Sequence, residues 1–157
     1  MDAVYSFSKA LTVDTNIYAS GDNVGGLQTV DLSPFKNTKG AAILDHVLIM
    51  DLAKQSANMD LVLFGSNPSA TTFTTNVAQD IADADITKII GVVPVTSHHV
   101  FADSSVSRAV NLDLGFKLDA TQSTLNLYAA LISRATPTFA TTGDIDLTMT
   151  FRAPSSW

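Results

Sequence analysis

Hydrophobic and polar residues alternate along much of this chain with a period of two. Between residues 110 and 118 every second residue is apolar: Val110, Leu112, Leu114, Phe116 and Leu118. The same holds between residues 145 and 151, with Ile145, Leu147, Met149 and Phe151. A period of two is typical of a strand in a sheet that has one buried and one solvent-exposed face. The late part of the chain is therefore predicted to be built from amphipathic strands.

Eight segments of the chain carry strand signals and are separated by turn residues. They are residues 3–13, 24–32, 41–52, 59–64, 89–95, 110–118, 125–134 and 145–151. Clusters of Gly, Pro, Asn and Asp between them are typical of turns. Eight strands without a long helix predict an all-β fold, and they favour an eight-stranded jelly-roll-like β-sandwich. We expect residues 1–157 to form a single domain, with extended or tail-like termini at about 1–20 and 152–157.

The connection between the fourth and fifth predicted strands is too long for a hairpin. Asn76 is a candidate N-cap for a short helix ending near residue 82, and Asp83 is a candidate N-cap for a further turn. A connection of this length is expected to have structure of its own or to carry function. The sequence therefore predicts one short helical connector, about residues 76–88, which we expect to cap one end of the sandwich.

The third predicted strand differs from the others because both of its faces are largely apolar. Ile43, Val47 and Ile49 form a second apolar face opposite the one that contains Leu44. One interpretation is that the domain itself covers both faces. The other is that Ile43, Val47 and Ile49 contact a neighbouring subunit or a capsid, where each buried side chain would contribute about 1.5–3 kcal/mol. Trp157 is a further candidate contact with a neighbour.

The composition indicates that the surface of the protein carries few charges. The chain is 46% hydrophobic and 15% charged, its net charge is −6, and all of its acidic residues are Asp. The low charge predicts that a partner, including further copies of the chain as a dimer or trimer, covers part of the surface. The acidic balance argues against nucleic acid as a partner. No apolar run is long enough for a spanning helix and the N-terminus lacks signal-peptide features, so we expect no membrane partner and synthesis in the cytoplasm.

Several groups of residues raise the possibility of chemistry. His98 and His99 lie near Ser97 and Asp103 in a predicted loop, but adjacent histidines of an extended chain point to opposite sides. Calcium at Asp83 and Asp85 or at Asp144 and Asp146, and sugar binding at Tyr128, are the other options. The chain lacks Cys, Glu and a Gly-x-Ser-x-Gly motif. We therefore expect no enzyme activity, no catalytic residue, no metal site and no cofactor.

Residues 58–95 resemble the decoration, or cement, proteins that coat the assembled capsid of tailed bacteriophages. The resemblance is carried by Leu63-Phe64, Asn67-Pro68, Phe73-Thr74-Thr75-Asn76, the Asp-spaced segment from Asp80 to Asp85, and the strand start from Lys88 to Val92. Looser similarities at Gly25-Gly26-Leu27 and at residues 127–134 extend it to about residues 24–149. None of these elements is a catalytic signature.

The resemblance implies a jelly-roll fold and a structural role in a virion. The expected partners are the major capsid protein and further copies of the same chain, and the expected location is the outer surface of the capsid. Bridging of capsid subunits would stabilise the shell. Two other functions remain open at this point: a carbohydrate-binding jelly-roll module of a phage tail or baseplate, and a cupin-like enzyme.

Overall fold

The computed structural model describes residues 4–154, which form ten β-strands and two short helices. The strands are β1 Val4–Leu11, β2 Asn23–Asp31, β3 Ala41–Asp51, β4 Met59–Phe64, β5 Ile89–Val95, β6 Ser97–Val100, β7 Ser105–Ala109, β8 Leu114–Lys117, β9 Asn126–Ser133 and β10 Ile145–Arg152. A 3₁₀-helix covers Ser33–Thr38, and a single α-helical turn, α1, covers Asp83–Ile86. The candidate contact residue Trp157 lies outside the described residues.

The strands form two antiparallel sheets with a nested order. The first sheet has the order β1-β10-β3-β7-β6, with β8 also paired to β3, and the second sheet has the order β2-β9-β4-β5. Early strands therefore pair with late ones: β1 with β10, β2 with β9, β3 with β8, and β4 with β5. Successive pairs alternate between the sheets, which is the arrangement of a jelly roll. The prediction of an all-β jelly-roll sandwich is confirmed.

The inner faces of the two sheets enclose one large hydrophobic core. Its largest fully buried side chains include Tyr18, Phe35, Phe139 and Phe151. Tyr18 and Phe139 meet edge to face with ring centroids 5.4 Å apart, a preferred geometry for aromatic pairs. Tyr18 and Phe139 lie in loops, Phe35 lies in the 3₁₀-helix and Phe151 lies on β10, so the core joins segments that are far apart in sequence.

The segment between residues 96 and 118 differs from its predicted structure. The strand predicted at 110–118 is limited to Leu114–Lys117, because Asn111 and Asp113 adopt left-handed conformations with φ of 55° and 47°. The predicted loop around His98 and His99 is instead the hairpin of β6 and β7. The sequence of this hairpin is short and polar and has little alternation, so the hairpin forms because β7 pairs with β3. Placing the histidines in a loop was therefore wrong.

The connection between β4 and β5 is less helical than predicted. Only Asp83–Ile86 is helical, and Ala82 rather than Asp83 is the residue before it. Asn76 does not start a helix, because it has a φ of 58° and its backbone amide bonds to the carbonyl of Asn23. Isolated bridges join Thr75 to Asn23 and Ala78 to Asp22 at the start of β2. Pairing with a distant strand thus replaced the local helix.

Strand β3 contains a β-bulge that interrupts its alternation. In its pairing with β10, His46 lies opposite Thr150 and Leu44 lies opposite Phe151. Asp45 is left without an opposite residue. One additional residue in a strand exchanges its two faces, because side chains alternate with a period of two. The residues after Asp45 therefore point to the side opposite to the one that simple alternation predicts.

This exchange corrects the predicted interface. Val47 and Ile49 are 0% and 1% exposed and belong to the protein's own core. Leu48 and Met50, which simple alternation places on the core side with Leu44, lie on the outer side of the first sheet and are half-buried. The prediction that Ile43, Val47 and Ile49 form one outer contact face is therefore wrong for Val47 and Ile49. Ile43 precedes the bulge and is the one member of the three that remains partly exposed.

Candidate functional site

The outer face of the second sheet is apolar and is covered by the chain itself. Val62, Phe64 and Ile132 point away from the main core, yet they are only 6%, 0% and 4% exposed. The connector, defined here as residues 65–88, packs Phe73 and Ile81 over them. The rings of Phe64 and Phe73 meet edge to face at 5.8 Å. The connector therefore covers a sheet face, whereas we had expected it to cap one end of the sandwich.

The connector is held together by one buried carboxylate. Asp85 is 0% exposed and accepts hydrogen bonds from the Thr71 hydroxyl at 2.7 Å, the Ala70 amide at 3.0 Å and the Lys88 ammonium at 2.7 Å. Burial alone would raise the pKa of Asp85, but the bonds from Lys88, Thr71 and Ala70 outweigh it and lower the pKa below its ordinary value. The Asp85 carboxylate, which we considered as a calcium ligand, is thus already bonded to an ammonium group and a hydroxyl group of the chain itself.

The outer face of the first sheet carries hydroxyl groups along β1 and β10. Ser6 and Thr150 share a hydrogen bond of 3.1 Å, and Ser8 and Thr148 share one of 3.0 Å. These cross-strand pairs lie directly opposite each other in the register of the two strands. The middle of this half of the face is therefore polar and uncharged, and Asp146 and Arg152 lie at its two ends on β10.

The other half of the same face is uncovered and mainly apolar, with the exposed Arg108 lying opposite Leu48. Leu48, Met50 and Val106 lie there on β3 and β7, with Met50 directly opposite Val106. All three are half-buried, and none belongs to either of the two buried clusters of the described residues. The first sheet therefore presents apolar side chains to solvent at positions where the second sheet is covered.

The apolar half continues into a corner patch, defined here as Leu52 and Phe101, which are 59% and 51% exposed. Val100 is 53% exposed, but it lies opposite the buried Ser105 and therefore points to the other side of the sheet. Phe101 stacks edge to face on His99 at 4.8 Å, and the Lys54 ammonium bonds the Ala102 carbonyl at 2.8 Å. These contacts hold the two loops of the patch together. Our reading of the sequence missed Phe101, although the adjacent apolar pair 100–101 within a polar segment was a usable signal.

His98 has two side-chain partners. Its Nε2 lies 2.8 Å from Asn58 Oδ1 and its Nδ1 lies 2.6 Å from Ser107 Oγ. A carbonyl oxygen only accepts, so Nε2 carries the proton and Nδ1 accepts from the serine hydroxyl. Ser107 is 2% exposed and faces inward on β7, so its hydroxyl is closed off from a substrate. The serine that reaches His98 is thus not Ser97, which the sequence suggested.

Several other aspartates bind the backbone of their own loops. Asp144 accepts from the Ala140 and Thr141 amides, at 2.7 and 2.9 Å, and from the Thr141 hydroxyl. Burial would raise the pKa of Asp144, but these bonds lower it overall. Hydrogen bonds from Thr121 and Gln122 lower the pKa of Asp119 to about 2. The short side chain of Asp suits such local bonds, which explains the use of Asp without Glu.

A shallow cleft of about 350 Å³ lies at one end of the second sheet. It is lined by one aromatic side chain and by amide, carboxylate and hydroxyl groups, including Tyr128, Asn67, Asn126, Asp119 and Gln122. The described residues contain no group of three His, Cys, Asp or Glu side chains that could hold a metal ion. No helix among residues 4–154 is long and apolar enough to span a membrane.

No protein-family model and no curated protein matches the chain. Among solved structures, a chain of tomato aspermy virus matches with a TM-score of 0.44 and 9% identity, over 99% of this chain and 80% of that chain. A chain of a full particle of Israeli acute paralysis virus matches with a TM-score of 0.34 and 12% identity, over 98% and 70%. A mud crab dicistrovirus chain matches at 0.28 and 12%, over 96% and 67%. These low scores carry no argument about function, and the fold assignment depends on the strand order above.

Proposed function

We propose that this protein is a non-enzymatic structural protein of a virion, which binds the outer surface of a tailed-phage capsid and stabilises it. The observation that carries the proposal is the uncovered outer face of the first sheet, with its corner patch of Leu52 and Phe101. Exposed apolar patches on soluble domains mark surfaces that bind another protein. The sequence resemblance of residues 58–95 to capsid decoration proteins supports the major capsid protein as that partner.

The proposed mechanism is bridging between subunits of the shell. Each copy contacts neighbouring major capsid proteins through the apolar half of the first sheet, and self-association links copies to one another. Many weak contacts on a lattice give strong binding in sum, because each bound copy raises the effective concentration of the next. The net charge of −6 keeps coated particles apart in solution. The protein is made in the host cytoplasm and functions on the capsid surface.

The experiment uses particles that lack the protein and purified variants added back. Leu52→Asp combined with Phe101→Asp places charge in the corner patch, and we expect it to abolish co-sedimentation with the particles. Val92→Asp is a matched control, because Val92 is as exposed as Phe101 but lies on β5 of the second sheet. Unchanged binding by the double variant would refute the proposed contact, and failure of the wild type to bind would refute the function.

A second candidate function is carbohydrate binding at the cleft beside Tyr128. An aromatic ring beside amides and a carboxylate is the chemistry that recognises sugar hydroxyls and ring faces, and the cleft has both. Binding of the isolated protein to a glycan array, lost in Tyr128→Ala, would favour a tail or baseplate module. If the protein binds particles but binds no glycan, only the capsid function remains supported.

The proposed absence of catalysis is also supported by the histidines. Among residues 4–154, the histidine that hydrogen-bonds a serine is His98, and its partner Ser107 is buried. An activated nucleophile must reach its substrate. Hydrolysis of ester, peptide or glycoside substrates that is lost in Ser107→Ala would overturn this part of the proposal.

A further inference from the structure

Strand β1 is an edge strand whose outer side is unpaired. It pairs with β10 over all eight residues from Val4 to Leu11. No backbone group of these residues bonds any other segment of the described chain. Every second residue of β1 therefore presents its amide and carbonyl groups to solvent. Such an edge is a template on which another strand can pair.

The other four edge strands of the two sheets, β2, β5, β6 and β8, are protected. Strand β5 contains Pro94, which has no amide hydrogen to donate, and β6 and β8 have only four residues each. In β2, Gly25 and Gly26 break the register with β9, and the start of the strand pairs with the connector. Bulges, prolines and short strands are common ways to prevent pairing at an edge.

Strand β1 has none of these features. It contains no proline, its register with β10 is unbroken, and Lys9 is its single charged residue. Its outward residues between positions 4 and 10 are Val4, Ser6, Ser8 and Ala10, which are small or uncharged. An unbroken edge of eight residues is therefore left unprotected in a fold that protects its other edges.

We propose that β1 pairs with β1 of a second copy of this chain, antiparallel and centred on Phe7, to form a two-fold dimer with a continuous first sheet. Inward-facing residues of one copy must lie opposite inward-facing residues of the other. Odd-numbered residues of β1 face inward and even-numbered residues face outward, so the numbers of two opposed residues must add to an even sum. Centring on Phe7 keeps this rule and pairs every residue from Val4 to Ala10. It places Ser6 opposite Ser8 of the other copy.

The same register is favoured by the side chains on the inner side of the strand. Phe7 would oppose Phe7 of the second copy, and Lys9 would oppose Tyr5 rather than another lysine. Tyr5 and Phe7 are half-buried at the open edge of the core, where Tyr5 packs on Phe35 at 6.4 Å. Aromatic pairs directly opposite each other stabilise a sheet, and opposed like charges destabilise it. The residues of β1 are thus complementary to a second, antiparallel copy of β1, which favours a second copy of the chain as the partner at this edge.

The test compares two double variants at the same two exposed positions. Ser6→Lys with Ser8→Lys places lysine opposite lysine twice, and we expect the dimer dissociation constant to rise roughly tenfold or more. Ser6→Lys with Ser8→Asp places lysine opposite aspartate twice, so the dimer should persist. Both variants lose the same hydroxyl contacts with Thr150 and Thr148, so their circular dichroism and melting temperatures should agree. Sedimentation equilibrium measures the dissociation constants.

Cysteine cross-linking provides a second readout, because the chain contains no cysteine. A mixture of Ser6→Cys and Ser8→Cys chains should form a disulfide between the two variants on oxidation, since those positions are opposed. Ser6→Cys alone should cross-link much less, because its two copies are offset along the strands. A disulfide needs Cα atoms within about 7 Å.

This inference deepens the self-association part of the proposed function, and the two fail separately. A wild type that stays monomeric at micromolar concentration overturns the dimer, as does equal dimerisation of the two double variants. If the wild type is monomeric and the variant Ser6→Lys with Ser8→Lys no longer binds particles, the β1 edge pairs instead with a strand of another protein. Loss of particle binding in the corner-patch variant, with an intact dimer, concerns the capsid contact alone.

Discussion

The two outer faces of this sandwich carry similar apolar side chains but differ in how much of them is exposed to solvent. On the second sheet, Phe64 and Ile132 are 0% and 4% exposed because the connector lies over them. On the first sheet, Met50 is half-buried and Leu52 is 59% exposed. A long connection between β4 and β5 thus covers one face, and the face without such a connection stays exposed.

The difference shows that apolar character alone does not identify an interaction surface in this fold. An outward apolar residue can be covered by a long loop of the same chain. The surface available to a partner is what remains after the chain has covered itself. Four predictions test this comparison.

The largest effect is expected where the β3 bulge assigns neighbouring residues to opposite sides. Val47→Asp places a charge in the core and should lower the free energy of unfolding by about 3–5 kcal/mol or more, enough to unfold the protein. Leu48→Asp places the same charge on the open outer face of the first sheet and should leave the fold largely intact. Urea unfolding followed by circular dichroism measures both. Comparable losses in the two variants would contradict the bulge.

A smaller effect is expected from removing the connector's contact with the second sheet. Phe73→Ala removes the ring that packs on Phe64, and it should lower the free energy of unfolding by about 2 kcal/mol. Phe101→Ala is the matched control on the open face and should change it by about 0.5 kcal/mol or less. Limited proteolysis should cut the connector faster in Phe73→Ala only. Equal stability of the two variants would mean that the connector does not protect the face.

Acid should loosen the connector before it affects the open face. The folded pKa of Asp85 lies below its ordinary value of 3.8, so its contribution to stability is present above that value and is lost as pH falls through the folded pKa. The protection of the amides in residues 70–88 against hydrogen exchange, corrected for the intrinsic pH dependence of exchange, should therefore fall as the pH drops below 3.8. In Asp85→Asn that pH-dependent step should be absent. A step of equal size in this variant would show that another group controls it.

The smallest effect concerns the hairpin that carries the corner patch. His98→Ala removes bonds to Ser107 and Asn58 and should lower the free energy of unfolding by about 1 kcal/mol. His99→Ala, on the exposed side of the same strand, should leave stability nearly unchanged. Thermal unfolding measures both, and particle binding by His98→Ala should stay close to wild type. A much larger loss of stability would indicate that His98 has a role beyond this hairpin.

Much of the fold could be predicted because its signals are local. Residues 59–64 and 89–95 were predicted with the same limits that the structure has, and both are apolar runs with turn residues at their ends. Glycine inside a strand is a local signal for a bulge or a close backbone approach, and the Gly25-Gly26 pair is where β2 loses its register with β9. Strand alternation and turn chemistry act over a few residues, so they can be recognised without knowledge of the partner strand.

Most of the failures depend on partners that are distant along the chain. The bulge at Asp45 is defined by the register of β3 against β10, and it exchanged the faces of Val47 and Leu48. Strand β6 has little pattern of its own and exists through β7, which in turn pairs with β3. The candidate interface was misplaced for the same reason, because its assignment required the register.

The sequence by itself determined the fold class, most strand positions and the local role of aspartate, since periodicity and side-chain length express themselves within a few residues. Only the tertiary structure decided which side of β3 faces the core, which outer face the connector covers and which edge remains unpaired. Each of these outcomes is a choice among pairings of similar local preference. The difference in free energy between such pairings arises from contacts across the sandwich, which no short segment of the sequence contains.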